Sequence, residues 1–224
     1  MKLPSWSKFK ENSSKFEGKT MDVIDEIKST DHKAWYNRGI SQSRQGRLDD
    51  AVKSYDKAIE IKPDYYEAWS NRGKVLSKLG KHRSSVKSYD KAIEINPDDY
   101  LSWAGRGNSL NKFEKFDNAV KSYDKAIEIK PDYYEAWYNR GNSLNACGRF
   151  IDAVASYDKA IEIKPDRYEF WTGRAWSLYK LKKYEESNEN YDRVLELKPD
   201  YKLAKDNQKI VKKKLSKNKT YSFE

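Results

Sequence analysis

Residues 134–167 read YEAWYNRGNSLNACGRFIDAVASYDKAIEIKPDR, and the same pattern returns along the chain every 34 residues. Trp35, Trp69, Trp103, Trp137 and Trp171 mark the period. Each is followed 20 residues later by a tyrosine (Tyr55, Tyr89, Tyr123, Tyr157, Tyr191) and 28 residues later by a proline (Pro63, Pro97, Pro131, Pro165, Pro199). Within the quoted stretch the apolar spacing is helical twice over. Trp137, Gly141, Leu144 and Cys147 form one stripe, and after Gly148 a second runs through Phe150, Ala153, Tyr157, Ala160 and Ile161. Pro165 ends it, because proline cannot continue a helix. Asp132 with Glu135, Asp64 with Glu67, and Asp166 with Glu169 have the spacing of reciprocal N-terminal caps. Gly46, Gly80 and Gly148 are placed to close first helices in the left-handed conformation. Small residues (Gly39, Gly73, Gly107, Gly141, Ala175) recur where the two helices of a unit should cross. One such helix–turn–helix unit cannot bury both its faces, so stacking must supply the core. The expected fold is all-α, with five units at 32–65, 66–99, 100–133, 134–167 and 168–201.

Outside the array, Met21, Ile24 and Ile27 suggest a degenerate partial repeat helix over 21–31, preceded by a flexible tail at 1–20. After Pro199, the stripe Leu203, Ala204, Ile210, Val211 and Leu215 predicts a capping helix at 202–215, with 216–224 as a frayed basic tail.

The repeat resembles the tetratricopeptide repeat (TPR) family. The family signature reads in the third unit as Trp103, Arg106, Gly107, Leu110, Ala119, Tyr123, Ala126 and Pro131. Two departures stand out. Arg occupies the place of the usual Leu in every unit (Arg38, Arg72, Arg106, Arg140, Arg174), and the tyrosine near the end of the first helix is replaced by Gln42, Leu76, Leu110, Leu144 and Leu178. The resemblance implies a right-handed superhelical solenoid whose first helices line a concave groove for extended peptides.

Composition narrows the functional classes. Only 37% of residues are hydrophobic, yet 17 Tyr and 7 Trp argue against wholesale disorder. A single cysteine excludes an intramolecular disulfide and a cysteine metal cage, and two histidines are too few for a histidine site. No cofactor or metal is expected. No catalytic constellation, Gly-rich phosphate loop or strand emerges, so the chain reads as non-enzymatic. It lacks an apolar run long enough to span a membrane, and it reads as cytoplasmic. Cys147 and His82 read as packing residues.

Net charge is +10, but its distribution is uneven. Residues 202–224 hold eight Lys against Asp206 and Glu224, whereas the repeats are only mildly basic. That tail offers a possible contact for nucleic acid or another polyanion, or simply solubilises a cap. The five-fold Arg, with a five-fold Asp (Asp56, Asp90, Asp124, Asp158, Asp192), suggests an inter-helix ion-pair ladder, with an anion-binding ladder as the alternative.

The best candidates for ligand contact lie on the polar edge of the first helices. Asn37, Asn71 and Asn139 stand two residues after their Trp, while Gly105 and Gly173 interrupt the series. This resembles the asparagine ladder of the TPR superhelix in O-linked N-acetylglucosamine transferase. An amide donates and accepts at once, so it can hold a peptide backbone without reading its sequence. Asn108 and Asn142 with Lys74 follow one turn on, then Asn111 and Asn145, with Lys78 and Lys112 nearby. The set required by the two-carboxylate clamp of other TPR proteins cannot be laid onto three consecutive units. The expected function is a scaffold or adaptor gripping a protein or peptide partner; self-association by end-to-end stacking is the further possibility.

Overall fold

The structure, a computed structural model, describes residues 30–220, with side chains through 217. The expected tail at 1–20 and all but the last two residues of the partial repeat at 21–31 lie outside the described residues. Among these, eleven helices occur and no strand: α1 (His32–Arg44), α2 (Leu48–Ile61), α3 (Tyr66–Lys78), α4 (His82–Ile95), α5 (Tyr100–Asn111), α6 (Phe116–Ile129), α7 (Tyr134–Ala146), α8 (Phe150–Ile163), α9 (Tyr168–Lys180), α10 (Tyr184–Leu197) and α11 (Lys202–Thr220). Helices pair within each unit, and each second helix packs on the first helix of the next unit. The result is an all-α solenoid of stacked helix–turn–helix units.

The recurring residues explain the pairing. The second-helix tyrosines Tyr55, Tyr89, Tyr123, Tyr157 and Tyr191 are buried. A Cβ added at Gly39, Gly107 or Gly141 would stand 2.6–2.8 Å from the ring of Tyr55, Tyr123 or Tyr157. Glycine there lets the helices meet across a flat aromatic face. Each joint between units is latched by the indole N–H of Trp69, Trp103, Trp137 and Trp171, which donates to the carbonyl of Pro63, Pro97, Pro131 and Pro165 at 2.8–2.9 Å.

The Arg–Asp ladder is an inter-unit staple. Arg72, Arg106, Arg140 and Arg174 donate from Nε to Asp56, Asp90, Asp124 and Asp158 of the preceding unit, each at 2.6 Å. From Nη1 they also reach their own second helix, at Ser88, Ser122, Ser156 and Asn190. Arg72 and Arg140 lie over their indoles at 5.8 and 6.0 Å. Asp192 accepts instead from Gln208 of α11 at 2.6 Å, which stands in the Arg register. The departure at Gln42 has a similar polar answer: it is buried and accepts from Ser54 at 2.6 Å.

Two expectations about helix ends need correction. Asp64, Asp132 and Asp166 do not cap α3, α7 and α9, whose N-cap residues Tyr65, Tyr133 and Arg167 make no side-chain cap bond. The Pro-Asp-Tyr segment forms its own turn, in which Tyr65 donates to the Lys62 carbonyl at 3.1 Å, so the helix starts two residues beyond the aspartate. Where the N-cap position is itself an aspartate, at Asp31 and Asp99, its side chain accepts from the first turn. Second, α11 runs to Thr220, so residues 216–220 are helical where fraying was expected from 216. Ala204 and Val211 are buried and Leu215 packs against them, which anchors the helix through most of its length. Gly46, Gly80 and Gly148 take φ of 78°, 73° and 74° as expected, but the equivalent positions Glu114 and Lys182 are also left-handed, at 57° and 63°. Cys147 is half-buried rather than enclosed, its thiol donating to Asp117 at 3.7 Å.

Candidate functional site

Successive first helices touch one another, whereas successive second helices make no comparable contact. A stack whose first helices lie closer together must curve with them on the inside, so α1, α3, α5, α7 and α9 line the concave face. Every candidate asparagine and lysine lies on these five helices or, for Lys112, at the C-cap of α5.

The structure sorts the candidates into three groups. Asn111 and Asn145 are fully engaged. Each donates from Nδ2 to the hydroxyl of its own unit's tyrosine, Tyr123 or Tyr157, at 3.0 Å. Each accepts at Oδ1 from the next unit's serine, Ser143 or Ser177, at 2.8 Å. Asn108 and Asn142 are half engaged. Each accepts at Oδ1 from the same tyrosine hydroxyl at 2.7 Å, which fixes the amide and turns Nδ2 away from that bond. Asn139 donates to Asn108 at 3.1 Å and Asn71 to the Tyr36 hydroxyl at 2.8 Å, leaving both carbonyl oxygens as acceptors. Asn37, Lys74, Lys78 and Lys112 are exposed and join no such network. The ladder is thus a set of tyrosine-centred clusters, one around Tyr123 and one around Tyr157. Burial pushes both hydroxyls well above the ordinary tyrosine range, so they remain neutral donors.

The interruptions have a steric cause. A Cβ at Gly105 would stand 2.3 Å from the Tyr89 ring, and one at Gly173 would stand 2.5 Å from that of Tyr157. Each tyrosine reaches forward to the next first helix, and only glycine leaves room.

Asn142 and Asn145 line a groove pocket of about 290 Å³ with Tyr138, Thr172, Trp176 and Asn207. Glu169 and Leu203 also border it, so the pocket joins the last two repeats to α11. Trp176, Leu203 and Asn207 were not among the sequence candidates. The signal for Trp176 was there: it breaks the tryptophan period and stands in register with Asn108 and Asn142. Asn207 and Leu203 carry no sequence signal, since only the docking of α11 brings them to the groove. Among the described residues no three His, Cys, Asp or Glu side chains converge as a metal site.

Comparison with known proteins agrees with this geometry. Family profiles described as "TPR repeat" match residues 43–80 and 107–145, and profiles described as "Tetratricopeptide repeat" match 66–99, 134–167 and 168–201. No curated protein sequence gives a match. Among solved structures, YrrB, described as a TPR protein with an unusual peptide-binding site, superposes with a TM-score of 0.74 at 22% identity, covering 84% of this chain and 97% of that one. MamA from Desulfovibrio magneticus gives a TM-score of 0.71 at 17% identity, covering 76% and 97% of the two chains. A tetratricopeptide repeat protein from Parabacteroides merdae gives 0.73 at 18% identity, covering 84% and 75%. With five units of the signature, the latched helix pairs and the profile matches in agreement, the chain belongs to the tetratricopeptide repeat family.

Proposed function

We propose that the chain is a non-catalytic, cytoplasmic protein–protein interaction scaffold that holds an extended segment of a partner in its concave groove. The observation that carries the reading is the half-engaged state of Asn108 and Asn142. A buried tyrosine hydroxyl occupies each Oδ1, so each amide is held in one orientation with its N–H donors left for a ligand. Such a donor loses little rotamer freedom on binding and suits a peptide carbonyl, whatever side chain that peptide residue bears. Asn71 and Asn139 supply complementary acceptors. YrrB, described as having a peptide-binding site, is an analogous case on the same fold.

Selection of binders from a random peptide library, followed by affinity measurement, tests the reading. Removing two groove donors with Asn108→Ala and Asn142→Ala should cost about 1–3 kcal/mol together, a loss of roughly tenfold or more. Unchanged affinity in the double variant would remove the groove from the account.

A second reading rests on α11, where Lys213, Lys214 and Lys217 are exposed and make no ion pair among the described residues. They could hold nucleic acid or another polyanion. Deleting the helix is a poor test, because it would uncover Ala204 and Val211. Replacing Lys212, Lys213, Lys214 and Lys217 by Gln keeps the cap, and salt-dependent binding to mixed-sequence RNA or DNA that survives this change would discard the second reading.

A further inference from the structure

Seven large apolar side chains are exposed among the described residues, and three of them gather in one place. Trp176 of α9 and Leu203 and Ile210 of α11 are 42%, 50% and 48% exposed. Trp176 lines one small pocket with Ile210 and borders the groove pocket with Leu203, so the three form one patch. The indole is held in place by stacking on Tyr179, with ring centroids 5.6 Å apart. On α11 the sequence spacing explains the exposure. Leu203, Asn207, Ile210, Lys214 and Lys217 follow one another at steps of 4, 3, 4 and 3, which makes them one helical stripe. A separate stripe, through Ala204, Val211 and Leu215, packs against the fifth repeat. One stripe therefore anchors the cap, and the other carries leucine and isoleucine into solvent and ends in lysines. Lys213, Lys214 and Lys217 are exposed beside it, and the Lys180 ammonium lies 5.6 Å from the Trp176 ring. The one acidic residue of α11, Asp206, is taken by Lys209 at 3.5 Å.

We propose that this flank of α11, with Trp176, is a docking face for the surface of a bilayer rich in anionic lipid. The inference rests on the second reading above, that the α11 lysines hold a polyanion, and it names that polyanion; it is independent of the groove asparagines. Two features must be explained together. Lysines alone would serve any phosphate backbone, but nucleic acid gains nothing from exposed leucine and isoleucine beside them. An apolar patch alone would suit a second copy of the chain, but symmetric pairing across this face would bring two rows of lysines together. A bilayer surface uses both. Leu203 and Ile210 enter the boundary between headgroups and acyl chains, and the amphipathic indole of Trp176 sits at headgroup level. The lysine stems lie along the apolar layer while their ammonium groups reach anionic headgroups. No described helix is long and apolar enough to cross a membrane, so the contact is peripheral.

The test is co-flotation of the full chain with vesicles of phosphatidylcholine, alone or with about one quarter phosphatidylserine. Fluorescence anisotropy with a labelled mixed-sequence RNA runs beside it. The chain should float with the anionic vesicles and not with the neutral ones, and added salt should weaken the binding. Lys213→Gln/Lys214→Gln/Lys217→Gln should weaken it by roughly a hundredfold, since each lysine near an anionic surface is worth about fivefold. Leu203→Ser/Ile210→Ser keeps every charge and should weaken it about tenfold, because two half-exposed side chains lose their burial in the bilayer. Circular dichroism and thermal melting confirm that each variant is folded. Equal binding to neutral vesicles, or anionic-vesicle binding that Leu203→Ser/Ile210→Ser leaves unchanged, would overturn the docking face. RNA binding that the lysine variant abolishes, with no vesicle binding at all, would overturn it too and leave the second reading standing with nucleic acid as its ligand. If neither vesicles nor RNA bind, the docking face and the second reading fall together.

Discussion

Glu114 and Lys182 occupy left-handed backbone that the other three units give to glycine. An L-residue there has its Cβ pressed toward the following carbonyl, at a cost of about 1 kcal/mol. Glu114→Gly and Lys182→Gly should therefore each stabilise the protein by about 0.5–1 kcal/mol, visible as a rise of roughly 1–4 °C in thermal midpoint. Gly80→Ala, at φ 73°, should act in the opposite direction. A second expectation concerns the staple. Arg140 is mostly shielded while Asp124 is about half exposed, at 21% and 48% of their side chains, so solvent discounts the pair. A double-mutant cycle with Arg140→Ala and Asp124→Ala should give a coupling of about 0.5–1 kcal/mol. Zero coupling would mean that the arginine acts only through Ser156 and its indole.

At the scale of helices, the tyrosine of each second helix decides what its neighbours can be. Gly105→Asn or Gly173→Asn would complete the asparagine series in sequence and damage the structure, because Tyr89 or Tyr157 already fills that space. Either change should destabilise by about 1–3 kcal/mol, measurable by denaturant unfolding. Buried tyrosine rings also set the alkaline limit. Burial pushes the Tyr55, Tyr133 and Tyr191 hydroxyls up from 10.0 to about 12, with the Asn207 side chain offsetting part of the shift at Tyr191. The unfolded chain ionises first, so stability should be intact below about pH 10 and fall as the pH climbs toward about 12, at about 1.4 kcal/mol per pH unit for each such tyrosine. Thermal melts across this range, with phenolate absorbance as the titration readout, should show the loss begin near the ordinary tyrosine value. These elements also show what sequence alone could reveal. The Trp, Tyr and Pro periods specify helix pairs and joints because each residue type has one packing role repeated in every unit. The helix starts were misplaced because Asp64 and Glu67 have cap spacing, whereas the Pro-Asp-Tyr turn uses those residues differently. Asn108 and Asn111 looked equivalent by composition, and only the Tyr123 hydroxyl between them separates the two: it donates to the carbonyl of Asn108 and accepts from the amide of Asn111.

At the scale of the whole molecule, the stack is closed at its C-terminal end by α11, which buries Ala204 and Val211 against the fifth repeat and gives Asp192 its partner Gln208. That helix disfavours end-to-end stacking at this end and turns Asn207, Leu203 and Ile210 toward the groove. It also carries most of the excess positive charge, so the basic character of the chain is a property of the cap more than of the repeats. The groove therefore changes along its length, from the exposed Lys74 and Lys78 to amide clusters in the middle and an aromatic pocket at the end. The most direct measurement of the central claim is nuclear magnetic resonance of the asparagine side-chain amides while a library-selected peptide is titrated in. The account predicts that the Asn108 and Asn142 NH₂ signals shift on binding, that those of Asn111 and Asn145 move far less, and that Asn108→Ala with Asn142→Ala weakens the peptide about tenfold. Binding that leaves the Asn108 and Asn142 signals in place, with full affinity in the double variant, would contradict it.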